Sequence, residues 1–270
     1  MEPSDPAARP LVEDEREAKL IARGAPPETW SPRLRHALDL AAGRRKLYLQ
    51  QPTAFTYPGL PQVQFYETGQ FDWVPAIEAA APAIREELLA LVEQGTEFSA
   101  YIHGHTEGTE LGANQALLAS RDWSVLFLCE NGWIVPKVIE CCPRTWQAVL
   151  QSAPLPRVAG WGPTVVFSML KAGARIAPHT GMYNSRLICH LPLVVPPGCG
   201  FRVGNEVRAW EEGKLLIFDD SISHEARNPS GELRVVLLLD VWRPEVSDAE
   251  RTGISAIFDA IDTFQTLPDA

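Results

Sequence analysis

Long apolar runs are missing from this chain. The most hydrophobic segments, 187–195 and 233–241, are interrupted by polar residues and fall far short of the roughly 20 residues that cross a bilayer. They read as buried strands, and no integral membrane segment is expected. Positive charge is also scarce: 24 Lys and Arg stand against 34 Asp and Glu, a formal net charge of -10. A surface of that sign repels a phosphate backbone, and no basic run interleaved with aromatics offsets it locally, so nucleic acid is excluded as a partner. The start Met1-Glu2-Pro3-Ser4-Asp5 lacks the basic residues and apolar block of a secretory signal, which sets the expectation of a cytoplasmic protein. Cysteine is sparse and odd in number, five residues without a disulfide-type spacing. Reduced thiols used for packing in a reducing compartment fit that pattern. Internal repeats and low-complexity tracts are absent as well.

What is present suffices for one large core. With 270 residues, 46% of them hydrophobic and 21% charged, the chain fits a single catalytic-sized domain with an appendage. Residues 1–55 form the expected appendage, with helical stretches over 13–22 and 32–49. A turn-rich entry, Tyr57-Pro58-Gly59-Leu60-Pro61, leads to a short strand at 63–66 and a helix over 73–93 whose Ile77, Ile84, Leu88 and Leu91 share one face. Beyond Phe98 the texture changes to short β-type runs at 123–129, 164–170, 186–194, 200–203, 214–218 and 233–242, separated by turn residues. Closely spaced short strands predict a sandwich or barrel, here an α+β but β-rich jelly roll of the cupin type with N-terminal helices. The main domain is expected over 56–250, with 251–270 a C-terminal tail or helix.

Two histidines stand at the ends of β-type segments, His179 in Ala177-Pro178-His179-Thr180-Gly181 and His224 in Asp219-Asp220-Ser221-Ile222-Ser223-His224-Glu225. Arg234 follows at the start of the last apolar strand. In a jelly roll, two imidazoles can converge on a divalent metal while a guanidinium on the next strand reaches the far carboxylate of a chelating dicarboxylate. Strand alternation places Arg186 and His190 on one face, and so many cationic or donor groups in one apolar cavity call for an anion. Other signals weigh less. His103 and His105 have a ligand-like His-x-His spacing, but their Gly and Thr neighbours suggest a loop. Asp219-Asp220 reads as a solvated turn, and Trp210-Glu211-Glu212-Gly213-Lys214 as a hairpin connection that serves the fold. Trp123 and Ser168 carry no chemical signature of their own.

The runs from His179 to His190, from Asn205 through Trp210 and Ser221 to Glu225, and from Leu233 through Asp240 to Pro244 resemble the aspartyl/asparaginyl β-hydroxylase family in order and content. The resemblance spans roughly 123–244. It implies a double-stranded β-helix that binds iron(II) through His179 and His224, and 2-oxoglutarate through Trp123, Ser168, Arg186, His190 and Arg234, with Asp220 near the substrate. The implied reaction hydroxylates an aspartyl- or asparaginyl-like, other amino-acid or peptidyl side chain, with 2-oxoglutarate going to succinate and ascorbate as a supporting reductant. A lipid or small-molecule hydroxylase on the same scaffold, and a non-catalytic cupin-like binding module, are the alternatives; the arginines that such a module would lose are all retained. Gly181 stands where most such oxygenases carry a metal-binding Asp or Glu. Two protein ligands and a water are therefore expected, with ligation by Asp219 or Asp220, or a halide in that place, as alternatives.

Overall fold

The computed structural model describes residues 18–19, 22–24, 29–102, 117, 120–158 and 160–265. It divides into two units, Met1–Tyr48 and Leu49–Ala270. In the first unit, helix α1 spans Pro32–Ala42; Ser31 caps it by accepting from the Leu34 amide at 3.2 Å, and Gly43 ends it at φ 74°. A left-handed residue there stops the helix short of the expected Leu49. The helix expected over 13–22 falls for the most part outside the described residues.

The unit boundary lies earlier than the expected 55/56, for a hydrogen-bonding reason. The backbone of 51–55 is tied into the second unit, where Gln51 N donates to Ser221 O at 2.7 Å, Thr53 N to Gly181 O at 3.0 Å and Phe55 N to Met182 O at 3.0 Å. Residues 251–265, expected as a tail or helix, are helical and belong to the second unit. Helix α5 (Asp248–Gln265) buries Ile254 and Phe258 against Trp161, Tyr183 and Trp242.

The second unit is a double-stranded β-helix. Its strands are β1 (Phe65–Tyr66), β2 (Ser99–Ala100), β3 (Trp123–Glu130), β4 (Trp133–Ile134), β5 (Val165–Leu170), β6 (Arg175–His179), β7 (Arg186–Val194), β8 (Gly200–Val203), β9 (Glu206–Arg208), β10 (Leu216–Phe218), β11 (His224–Arg227) and β12 (Arg234–Trp242). Among the described residues they make two antiparallel sheets, one ordered β1-β10-β7-β12-β5-β3-β2 with β4 on β3, the other β6-β11-β8-β9. From β5 to β12 the chain passes back and forth between the sheets, with the β8–β9 hairpin as the exception. Each passage brings a strand end to the space between the sheets.

Period-two alternation then sorts the side chains. On β7, Leu187, Cys189, Leu191 and Leu193 pack outward under helix α2 (Val74–Glu93), and on β12 so do Val235, Leu237, Leu239 and Val241. Ile77, Ile84, Leu88 and Leu91 of α2 meet them there, as their helical spacing predicts. Helices α3 (Pro136–Cys141) and α4 (Pro143–Ser152) follow β4. The other face of β7 and β12 carries Arg186, Ile188, His190, Arg234 and Leu238 into the gap between the sheets. With both faces covered, these strands read as nearly continuous hydrophobic runs.

Candidate active site

A cavity of about 430 Å³ opens between the two sheets, and eight of the residues singled out from the sequence line it: Trp123, Ser168, His179, Arg186, His190, Asp220, His224 and Arg234. His179 ends β6 and His224 begins β11, and the two are direct partners in the antiparallel ladder. Their ring centroids lie 4.1 Å apart, the closeness that a cross-strand pair provides. Each ring is oriented from behind by a backbone carbonyl: His179 Nδ1 is 2.9 Å from Ala177 O, and His224 Nδ1 is 3.1 Å from Ile222 O. A carbonyl only accepts, so Nδ1 carries the proton and Nε2 keeps its lone pair, the arrangement that metal-binding imidazoles use. Burial holds the His224 imidazole neutral by lowering its pKa to about 4. The donor set fits a divalent cation. Among the described residues no cluster of three or more His, Cys, Asp or Glu forms a ready metal site.

Gly181 has a steric reason. A Cβ built there would sit 1.9 Å from Asp220 Oδ2, so the Asp220 carboxylate occupies the space of any side chain at 181. The Gly181 amide donates to Asp220 O at 2.7 Å, which fixes that approach.

The cationic candidates divide into two environments. Arg234 is 1% exposed, has no carboxylate partner among the described residues, and uses Nη1 to donate to Ser168 O at 3.3 Å, while its Nε is without a partner. Its guanidinium lies 4.8 Å from the Trp210 ring. Burial pushes its pKa down to about 10, as expected for a charge taken out of water. His190 sits beside it, with a pKa driven well below the ordinary value by burial and then by Arg234. Trp123 donates its indole N–H to Ser168 Oγ at 3.2 Å, and its ring lies 5.8 Å from that of His179.

Arg186 differs. It pairs with Asp240 at 2.8 Å and Asp220 at 3.3 Å and stacks over Tyr183 at 4.2 Å. Burial works against its charge, but Tyr183, Asp220 and Asp240 hold its pKa well above the ordinary value. Its charge is thus compensated inside the fold, whereas that of Arg234 is not. Asp220 is 5% exposed, and its Oδ1 has no partner among the described residues; burial raises its pKa against the pull of Arg186. This is a buried ion pair facing the cavity, not the solvated turn expected from the sequence.

Sequence reasoning missed Tyr183 and Asp240, which hold Arg186, and Tyr101, which stacks on Trp123 at 4.1 Å. Asp240 was visible as the lone acid within an apolar strand. Tyr101 carried no signal. Thr53, Met182, Glu130 and Asn131 also line the cavity. His103 and His105 lie outside the described residues.

Residues 78–244 match the model of the aspartyl/asparaginyl beta-hydroxylase family. The chain is 33% identical over 192 residues to the human aspartyl/asparaginyl beta-hydroxylase, covering 71% of this chain and 24% of that protein. It is 32% identical over 228 residues to the ornithine lipid ester-linked acyl 2-hydroxylase of Rhizobium tropici, covering 83% of this chain and 74% of that one. A third relative, the human aspartate beta-hydroxylase domain-containing protein 2, is 31% identical over 216 residues, 78% of this chain and 55% of the relative. The chain therefore spans about a quarter of the human hydroxylase and about three quarters of the bacterial one.

Proposed function

The chain belongs to the aspartyl/asparaginyl β-hydroxylase family, and from that premise and its cavity we propose that it is an iron(II)- and 2-oxoglutarate-dependent dioxygenase that hydroxylates an amino-acid-like or peptidyl side chain in the cytosol. One observation carries the reading: two carbonyl-oriented imidazoles paired across a β-ladder share a cavity with a buried guanidinium that has no acidic partner among the described residues. Iron(II) held by His179 and His224 would supply oxygen activation coupled to oxidative decarboxylation of 2-oxoglutarate to succinate and carbon dioxide.

The chain's own residues supply positioning. His179 and His224 would hold the metal through Nε2. Arg234 offers an N–H fork to the far carboxylate of the cosubstrate, which relieves its desolvated charge. His190 and the Ser168 hydroxyl add donors beside it. Because the Arg186 charge is already compensated, its pairing with Asp220 and Asp240 serves better to shape the substrate side of the cavity than to hold a second carboxylate. The apolar walls, Ile188, Phe201 and Phe218 among them, exclude water from the reacting groups.

A second reading, the same oxidation on an acyl chain, is favoured by the larger share of the Rhizobium relative that the chain covers and by Tyr101 and Met182 at the cavity, 39% and 44% exposed. Purified protein supplied with iron(II), ascorbate and 2-oxoglutarate tests both. Succinate release that increases with aspartyl or asparaginyl peptides supports the first, and release that increases only with an amine-bearing acyl lipid supports the second. No succinate with any substrate would sink the dioxygenase reading and leave a binding module.

A further inference from the structure

We propose that Trp210 is a positioning residue that locks His190 in its Nε2–H tautomer and so presets a hydrogen-bond donor beside Arg234 in the cavity. The inference rests on the reading of that end as the cosubstrate's carboxylate site. Trp210 lies in the connection between β9 and β10, which reads from sequence as a mere turn, yet it is 6% exposed. Its indole N–H donates to His190 Nδ1 at 3.3 Å. An indole N–H cannot accept, so the lone pair of His190 must face it and the ring proton is left on Nε2. Among the described residues Nε2 has no hydrogen-bond partner, and His190 lines the cavity.

The same indole is held on two sides. It stacks on Phe201 with centroids 5.3 Å apart and planes 23° apart, and the Arg234 guanidinium rests 4.8 Å from its ring. One side chain therefore orients both the neutral donor and the charged one. Trp123 treats Ser168 in the same way: its N–H occupies an acceptor position of Ser168 Oγ, leaving the hydroxyl proton to point elsewhere. Donors turned toward an incoming anion before it arrives spare the reorganisation that would weaken binding.

The test is nitrogen NMR on metal-free protein labelled with 15N-histidine, with the His190 signals assigned by their loss in His190→Gln. Wild type is expected to show Nε2 protonated and Nδ1 bare. Trp210→Phe keeps a ring against Phe201 and Arg234 but lacks the N–H, so the tautomers should mix or reverse. Its affinity for glutarate, measured by calorimetry without metal, should fall about five- to tenfold, the size of one lost hydrogen bond. In turnover the same variant should show a raised KM for 2-oxoglutarate with kcat nearly kept. A proton on Nδ1 in wild type would overturn the proposal, and so would a Trp210→Phe variant that only melts earlier and keeps the wild-type tautomer. Wild type that shows the expected tautomer but binds neither glutarate nor 2-oxoglutarate would uphold the Trp210 assignment and sink the carboxylate-site reading.

Discussion

At the scale of single residues the site depends on which charges are compensated. His179→Ala or His224→Ala leaves one imidazole of a cross-strand pair, so succinate formation should fall to background; near-normal turnover in either would remove the metal assignment. Arg234→Ala should weaken 2-oxoglutarate by about 2 kcal/mol or more, roughly thirtyfold, because a buried carboxylate loses its charged partner. An unchanged KM for 2-oxoglutarate would place the anion elsewhere. His224 also sets a pH dependence in the metal-free protein. Burial lowers its folded-state pKa to about 4, below the roughly 6.5 of an unfolded chain. Between those values the unfolded chain binds more protons, so stability rises with pH through that window and is lost as pH falls from 6.5 toward 4. Urea denaturation across the window should show a shallower slope in His224→Asn than in wild type, the carboxylates being common to both. Equal slopes would mean that His224 is not buried neutral.

Elements decide how those residues meet, and here legibility follows strand length. The long strands β7 and β12 were readable because nine apolar-rich residues leave no other interpretation, and their alternation correctly put Arg186 and His190 on one face. Strands β6 and β11 hold five and four residues, too few for a periodic signal, so their histidines were legible but the ladder that joins them was not. Helices α3 and α4 went unread because Pro136 and Pro143, which open them, look like breakers until the first helical position is known. The turn between β10 and β11 is held by a pair equally hidden. Asp219 and Arg243, both 0% exposed, meet at 2.6 Å, and Asp219 also accepts from Ser221 and Gln50. Burial raises the pKa of Asp219 and Arg243 opposes it. Arg243→Met should therefore cost about 3 to 5 kcal/mol, because it strands a buried carboxylate. Adding Asp219→Asn should restore part of that loss, as no charge is then left uncompensated. Equal stability of the single and double variants in chemical denaturation would show that the pair carries no strain of charge.

For the whole molecule, the question is where the catalytic unit begins. The sequence puts the expected junction at 55/56, just before the turn-rich entry Tyr57-Pro58-Gly59-Leu60-Pro61. The division into compact units places it at Leu49, and the hydrogen bonds of Gln50 and Gln51 agree. Gln50 Nε2 donates to Asp219 Oδ2 at 2.7 Å, Asn184 Nδ2 donates to Gln50 Oε1 at 2.8 Å, and Thr180 Oγ1 donates to Gln51 O at 2.6 Å. All three partners lie on the segments that follow His179 or precede His224. A fragment 49–270 retains both sheets, the cavity and every candidate residue, so it should unfold cooperatively and release succinate at a rate close to that of the full chain. A fragment 56–270 leaves the buried Asp219 and Asn184 each short of one hydrogen bond, at about 1 kcal/mol apiece, and removes the backbone pairing to Gly181 and Met182. Its thermal midpoint should fall by about 10 °C at the few degrees per kcal/mol usual for this size. Turnover should drop with it, because the loosened turn carries Asp220. Equal midpoints for the two fragments would return the junction to residue 55 and make 49–55 dispensable.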